Sequence, residues 1–355
     1  MRKLELDFAE AGVDALLVQT LPNIRYLTGF TGSNAGCLVT ADGQTTLFTD
    51  PRYTVQASEE FAGGETRIIT KHRMMALAAV EHLSRRRGVR IGYDPAATSV
   101  AELRQMEAKL PKGAKLVTVE GVVEKQRQVK DDTEIALIRE SVKVNSAAFD
   151  ATVRKIKPGL RESDIAAELE YQQRKKGASG PSFETIVASG PRTALPHAHP
   201  TDARIGPDIL LLIDMGASRG GYASDMTRML HLGRPSAKVR GWYEAVLEAQ
   251  LAALDSIRAG VTAGSVDRAA REMLKAKGFG ELFTHSTGHG LGLEIHEMPG
   301  IRAKDKTKLR PGMAITVEPG IYIAGEGGIR IEDTVVVTQN GCDILTPTTK
   351  EFVSL

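Results

Sequence analysis

Two aspartates, Asp214 and Asp225, bracket a Gly-Gly pair in the segment ILLLIDMGASRGGYASDMTRML. The apolar run Ile209–Ile213 reads as a buried strand and Gly220-Gly221 as a turn. A tight turn centred between Arg219 and Gly220 sets Asp214 opposite Asp225, with both carboxylates on one face of a hairpin. Two adjacent anions at the end of an apolar strand repel one another and resist desolvation. The usual remedies are a shared proton or a bound cation.

A second stretch repeats the logic. Ala314–Val317 reads as a strand ending at Glu318, and Pro319-Gly320 bends the chain. Gly325-Glu326-Gly327-Gly328 then turns it, so that Ile329–Thr338 returns as a strand. Glu318 and Glu332 lie symmetrically about Gly325 and are expected to face one another, with Arg330 on the same side as Glu332. The third piece, THSTGHGLGLEIHEMPG, holds His285, His289 and His296 among glycines that let backbone approach a site closely. PHAHP adds His197 and His199, while His72, His82 and His231 are scattered and read as structural.

Four carboxylates and one histidine form an oxygen-rich donor set. It suits hard or borderline divalent ions such as Mn2+ or Co2+ better than a structural thiolate zinc site would. The charge matches two cations, and paired metals about 3.5–4 Å apart are a known device for hydrolysis. Read from these residues alone, the chain is a dinuclear metallohydrolase whose substrate stays open.

The elements that must position these groups fall into two parts. Strands are expected at Asp14–Val18, Gly36–Thr40, Thr45–Thr49 and Val89–Gly92, with helices at Thr54–Phe61, Met74–Arg87 and near Val100–Leu110. That is an α/β unit closing near Val117. The polar segment Glu120–Lys130 lacks a strong period, which places a boundary there and gives domains of 1–124 and 125–355. A long helix should start at Asp131-Asp132-Thr133 and end by Pro158-Gly159. Further helices are expected at Glu162–Lys176, Arg240–Arg258 and Val266–Lys277, the last two followed by Gly260 and Gly278. The second domain is therefore α+β, with long helices covering a mostly antiparallel, curved sheet.

With 355 residues the chain can bury two cores, and 46 basic against 44 acidic residues give no reason to expect nucleic acid or a membrane surface as a partner. Arg85-Arg86-Arg87 reads as a helix end rather than a phosphate site. Cys37 and Cys342 stand far apart in no metal-type spacing and are expected to be free thiols. The start, MRKLELDFAEAG, carries acids where a signal peptide needs an apolar stretch, and no run of about 18 apolar residues occurs. A cytoplasmic setting is expected.

The motifs DMGASRGGYASDMTR, HSTGHGLGLEIHE, TVEPGIY and GIRIEDTV resemble the metal-binding motifs of the Xaa-Pro peptidases, aminopeptidase P and prolidase, which have the creatinase-type pita-bread fold. NIRYLTGFTGS and FTDPRY resemble the creatinase-like N-terminal domain of that family, and KDDTEIALIRES the first helix of its catalytic domain. The resemblance implies two divalent ions, Mn2+ foremost with Co2+ or Zn2+ as alternatives. Asp214 would bind one metal, His289 and Glu318 the other, and Asp225 and Glu332 would bridge. It also assigns His197 in PRTALPHAHP to substrate holding, His296 to the tetrahedral intermediate, His285 to the pocket and Arg330 to a pairing beside the bridging glutamate. His199 has no firm counterpart. Glu318 would accept a proton from the attacking water at the carbonyl before proline. A homodimer or higher homo-oligomer is expected on the same resemblance.

Methionine aminopeptidase shares the ligand types, but the extra N-terminal domain and the ALPH segment argue against it. Creatinase works without metal, and non-catalytic modules of this fold lose ligands, whereas here none is missing. Between Xaa-Pro aminopeptidase and a prolidase restricted to dipeptides, FTGS and TDPRY lean towards the aminopeptidase. Arg52 is a candidate to supply charge beyond the proline, or else a surface arginine beside a turn.

Overall fold

Residues 2–71, 74–83 and 88–355 are described by a computed structural model, and the chain divides into the units Met1–Arg127 and Gln128–Leu355. In the first, six strands lie in the spatial order Glu65–Ile68, Thr45–Thr49, Ala35–Thr40, Ala15–Val18, Arg90–Tyr93 and Lys115–Thr118. Ala35–Thr40 pairs antiparallel with both its neighbours, and the other three pairings are parallel. Leu17, Leu38, Phe48 and Ile91 of the sheet pack with Ala79, Val80 and Met106 of the helices Met75–His82 and Val100–Lys109. The latter helix starts at a capping box in which Ser99 and Glu102 satisfy each other's backbone amides. Arg85-Arg86-Arg87 and His72 lie outside the described residues. His82 ends its helix edge-on to Phe48.

Two short helices escape the sequence pattern, as do the edge strands Glu65–Ile68 and Lys115–Thr118. Leu21–Thr28 is a helix closed by Gly29, and Val122–Arg127 is a helix where a loop is expected. Both are too short to display a full apolar period and are held by tertiary contacts. Asn23 donates to Glu124 and accepts from buried Arg127.

The second unit is α+β. Asp131 caps the helix Asp132–Val153 through a capping box with Glu134. Helices Glu162–Lys175, Ala237–Ser256 and Ala263–Ala276 follow. The last two begin three residues before the expected starts, because Ser236 and Thr262 are the N-caps. One sheet runs Val353–Ser354, Met226–Leu232, Ile209–Met215, Ile186–Ser189. Another runs Glu297–Ile301, Gly288–Gly290, Ala314–Val317, Asp333–Val337, Cys342–Ile344. Pairing is antiparallel throughout this unit save the terminal strand. Leu210 and Leu212 face the cluster built on Val246, Ala253 and Leu274, while Leu211, Ile213 and Met215 face Phe149, Ile165 and Leu169. A strand covered on both faces by helices is apolar without alternation, which is why Ile209–Ile213 reads as a continuous run.

Two expectations about register need correction. The turn is centred on Gly220-Gly221 rather than before them: both glycines have positive φ, 58° and 83°, and Arg219 pairs with Tyr222. Asp214 therefore pairs with Thr227, not Asp225. The displacement amounts to two residues, so Asp225 stays on the same face and sits diagonally from Asp214. The expected strand Ile329–Thr338 is broken into Gly327–Arg330 and Asp333–Val337, because Ile331 and Glu332 turn their amides to Pro319 and Thr227 as the chain passes between sheets. Gly320 pairs with Arg330 and Val317 with Asp333, a common register that sets Glu318 across from Glu332. Cys37 and Cys342 are free thiols, and among the described residues no helix is long and apolar enough to cross a membrane.

Candidate metal centre

Strand ends from three hairpins converge on one cleft. Its cavity of about 520 Å³ is lined by Asp214, Asp225, His289, Glu318 and Glu332, by His197, His199, His285, His296 and Arg330, and by the apolar Phe183, Ile186, Pro196 and Ile295. Ligand atoms of Asp225, His289 and Glu332 all lie within 4.8 Å of one another. His289 Nε2 is 3.6 Å from Asp225 Oδ2 and 3.4 Å from Glu318 Oε1. Its Nδ1 lies 3.0 Å from the Gly290 carbonyl. That contact assigns the proton to Nδ1 and leaves the Nε2 lone pair aimed among the carboxylates.

Glycine makes this approach possible. A Cβ on Gly288 would stand 2.0 Å from the Thr316 carbonyl oxygen, and one on Gly290 would stand 2.4 Å from that of Met298. The strand bearing His289 thus fits between its neighbours only because these positions lack side chains.

Each carboxylate has at most part of its hydrogen-bonding capacity used. Thr227 Oγ1 donates to Glu332 Oε2 at 2.7 Å, Thr316 Oγ1 to Glu318 Oε1 at 3.2 Å, and Arg330 Nη2 to Asp214 Oδ2 at 2.7 Å. Asp214 Oδ1 and Glu332 Oε1 are buried with no partner. Buried oxygens without donors are rare and costly. Burial pushes Glu318 up to about 7, Asp214's negative charge adding to it while Arg330 opposes. Asp225 and Glu332 are held well above the usual carboxylate range, first by burial and then by negative charge, that of Asp214 and Glu318 on Asp225 and that of Asp225, Glu318 and Asp214 on Glu332. Burial lowers His289, keeping its imidazole neutral as metal ligation requires. Four crowded carboxylates, two orphaned oxygens and a neutral imidazole fit a pair of divalent cations, which would supply the missing positive charge.

Arg330 is fully enclosed. Besides Asp214 it donates to Thr227 Oγ1 at 3.1 Å, to the Pro196 carbonyl at 3.2 Å and to Tyr322 OH at 2.8 Å. Tyr322 OH is also 2.9 Å from His285 Nε2, and His285 Nδ1 is 2.8 Å from the Ser286 carbonyl. Both nitrogens of His285 are thus engaged inside the protein, and burial followed by the charge of Arg330 pushes it down to about 4. His296 crosses His289 edge-on, with ring centroids 4.4 Å apart, and burial lowers its pKa too. His197 and His199 line the cleft on the loop after Ser189, and His199 pairs with Glu184 at 3.1 Å, both largely exposed. Arg52 is bonded by two nitrogens to Asp50 of its own turn. His231 is buried edge-on to Phe352.

Tyr322, Thr227 and Thr316 were not anticipated. Tyr322 lies four residues after Glu318, so alternation from that ligand was the available signal. The threonines carry no distinguishing mark in sequence.

The description "Metallopeptidase family M24" matches residues 136–339, and "Creatinase/Prolidase N-terminal domain" matches residues 1–129. A Xaa-Pro dipeptidase of Pyrococcus horikoshii is 36% identical over 96% of this chain and 95% of its own length. Among solved structures, a Xaa-Pro dipeptidase from Bacillus anthracis superposes with TM-score 0.93 at 38% identity, covering 98% of this chain and 97% of its own. An X-Pro aminopeptidase from Thermotoga maritima does so with TM-score 0.90 at 37% identity, covering 97% and 98%.

Proposed function

We propose a function from one premise: the chain belongs to metallopeptidase family M24 and carries a creatinase/prolidase N-terminal domain on a pita-bread catalytic unit. It is a metal-dependent peptidase by family, and the finer reading we propose is a Xaa-Pro dipeptidase. The convergence of Asp214, Asp225, His289, Glu318 and Glu332 on one cleft carries the reading, and the dipeptidases of Pyrococcus horikoshii and Bacillus anthracis support the substrate. The lean of FTGS and TDPRY towards an aminopeptidase has less support. It remains the second reading because of the Thermotoga maritima relative.

In this reading Asp214, Asp225, His289, Glu318 and Glu332 would together hold the divalent ions. When bound, the divalent cations, Mn2+ by the hardness of the donors, lower the pKa of a water and polarise the scissile carbonyl. Glu318, at the cleft beside His289, takes the proton of the attacking water and returns it to the proline nitrogen as that amine departs. His296 donates to the oxyanion that develops at the carbonyl, and His197 orients the substrate from the opposite loop. Arg330 and Tyr322 lock Asp214 in orientation. His285 holds the Tyr322 hydroxyl in place, since neither of its nitrogens is free to touch substrate. Phe183, Ile186 and Ile295 supply the apolar part of the cleft wall. A homo-oligomer and a cytoplasmic setting go with this reading.

Initial rates of the Mn2+-loaded protein on a Xaa-Pro dipeptide and on the same sequence extended by one residue test it. Cleavage of the dipeptide with the longer peptide at least about 10-fold slower supports a dipeptidase, a discrimination of about 1.4 kcal/mol. Equal or faster cleavage of the longer peptide establishes the aminopeptidase instead.

A further inference from the structure

The helix Glu162–Lys175 opens on a carboxylate that solvent does not reach: Glu162 is 0% exposed. Its Oε1 accepts from the Ser189 amide at 2.8 Å and the Ser189 hydroxyl at 2.9 Å. Its Oε2 accepts from the Thr201 amide at 3.1 Å and the Thr201 hydroxyl at 2.7 Å. Arg192 Nε lies against both oxygens, at 3.2 and 3.1 Å, and Arg192 Nη2 reaches on to the His199 carbonyl at 2.8 Å. A buried anion persists only when it is paired and its lone pairs are filled, and here every donor comes from one loop.

That loop leaves the strand Ile186–Ser189 and carries Pro196, His197, Ala198 and His199 into the wall of the cleft. Glu162 ties its two ends together and, through Arg192, reaches its middle. Ser163 donates its amide to the Thr201 carbonyl and His199 pairs with Glu184, while on the metal side Gly328 donates its amide to Thr193 Oγ1 at 2.8 Å and Arg330 donates to the Pro196 carbonyl. The loop is thus stretched between a buried carboxylate at its base and the arginine that also grips Asp214.

We propose that Glu162 is a positioning residue for substrate binding, setting the distance of His197 from the metal-side wall. This rests on the reading of the cleft as a peptidase site in which His197 meets the substrate. Glu162 lies outside the catalytic chemistry and touches no residue of the metal set. A displaced loop therefore weakens substrate holding while leaving the ligands in place.

The test is Glu162→Gln, which keeps shape but faces an amide NH2 against donors and so releases one end of the loop. Expected are a KM raised about 10-fold, kcat within about 3-fold of wild type and an unchanged metal content. The deciding measurement is a cycle with His197→Ala. If Glu162 acts through His197, adding Glu162→Gln to His197→Ala raises KM no further. Independent, multiplying effects overturn the proposal, as does an unchanged KM or a loss of metal in parallel with activity. Should Glu162→Gln fail to fold, Thr201→Val and Arg192→Met release the same loop singly and are judged by the same cycle. If the wild type hydrolyses some other peptide and no Xaa-Pro bond, the substrate reading has failed, and the cycle is read on the peptide that is cleaved.

Discussion

Removing the metal should make this protein's stability depend on pH in a way that reveals the crowding of its carboxylates. Glu318 rises from an ordinary 4.5 to about 7 in the folded chain, and Asp225 and Glu332 move in the same direction. A folded value above the unfolded one means the folded state binds the extra proton. Its stability contribution is complete below about pH 4.5 and is lost as pH rises through about 7. For Glu318 alone the rise corresponds to about 3 kcal/mol. His285 has the opposite sign, since its folded value of about 4 lies below 6.5. It favours folding above about pH 6.5 and disfavours it as pH falls towards 4. His285 is not a ligand, so it contributes equally with and without metal and cancels in the difference. The stabilisation conferred by Mn2+ at fixed free concentration should therefore grow by about 3 kcal/mol or more from pH 5 to pH 8, a widening of roughly 6–12 °C in Tm for a unit of this size. Trp242 is the sole tryptophan and is buried in the catalytic unit, so its fluorescence reports that unit alone. A metal-dependent gain that is flat or shrinks with rising pH would refute the account of the site.

Glu332→Ala and Asp225→Ala should each abolish turnover and metal retention together, checked by activity and by metal analysis after desalting. Full activity in metal-depleted variant protein would exclude the bridging roles. His296→Ala should lower kcat by about 10²-fold or more with metal content near that of the wild type, and an unchanged rate would remove it from the mechanism. Gly288→Ala forces a Cβ to 2.0 Å from the Thr316 carbonyl. It should destabilise the catalytic unit by about 3 kcal/mol or more in urea unfolding, and a loss below about 1 kcal/mol would contradict the tight strand approach.

Much of the site was readable because its placement follows from local periodicity. Alternation put Asp214 and Asp225 on one face even though the turn was misplaced, since a two-residue error in register preserves the face and a one-residue error would not. Symmetry about Gly325 put Glu318 across from Glu332, and the capping residues at Asp131-Asp132-Thr133 fixed the start of the long helix. What was not readable has a common cause. The helices Leu21–Thr28 and Val122–Arg127 are too short to carry a period. The broken strand at Ile331-Glu332 depends on amides bonding to Pro319 in a bend and Thr227 in another strand.

The amino-acid order alone therefore determined the kinds of ligand, their faces and the family they resemble, because these depend on residue type and short spacing. Only the tertiary structure decided which groups are spent and which are free. Arg330 is consumed by Asp214 and Tyr322, His285 by Tyr322 and Ser286, and Glu162 by a loop that begins far along the chain. Burial and partnership are properties of packing between different segments, some far apart in sequence, as Thr227 and Glu332 are at a separation of 105 and Arg330 and Asp214 at 116. No local pattern specifies which distant donor a buried oxygen will meet.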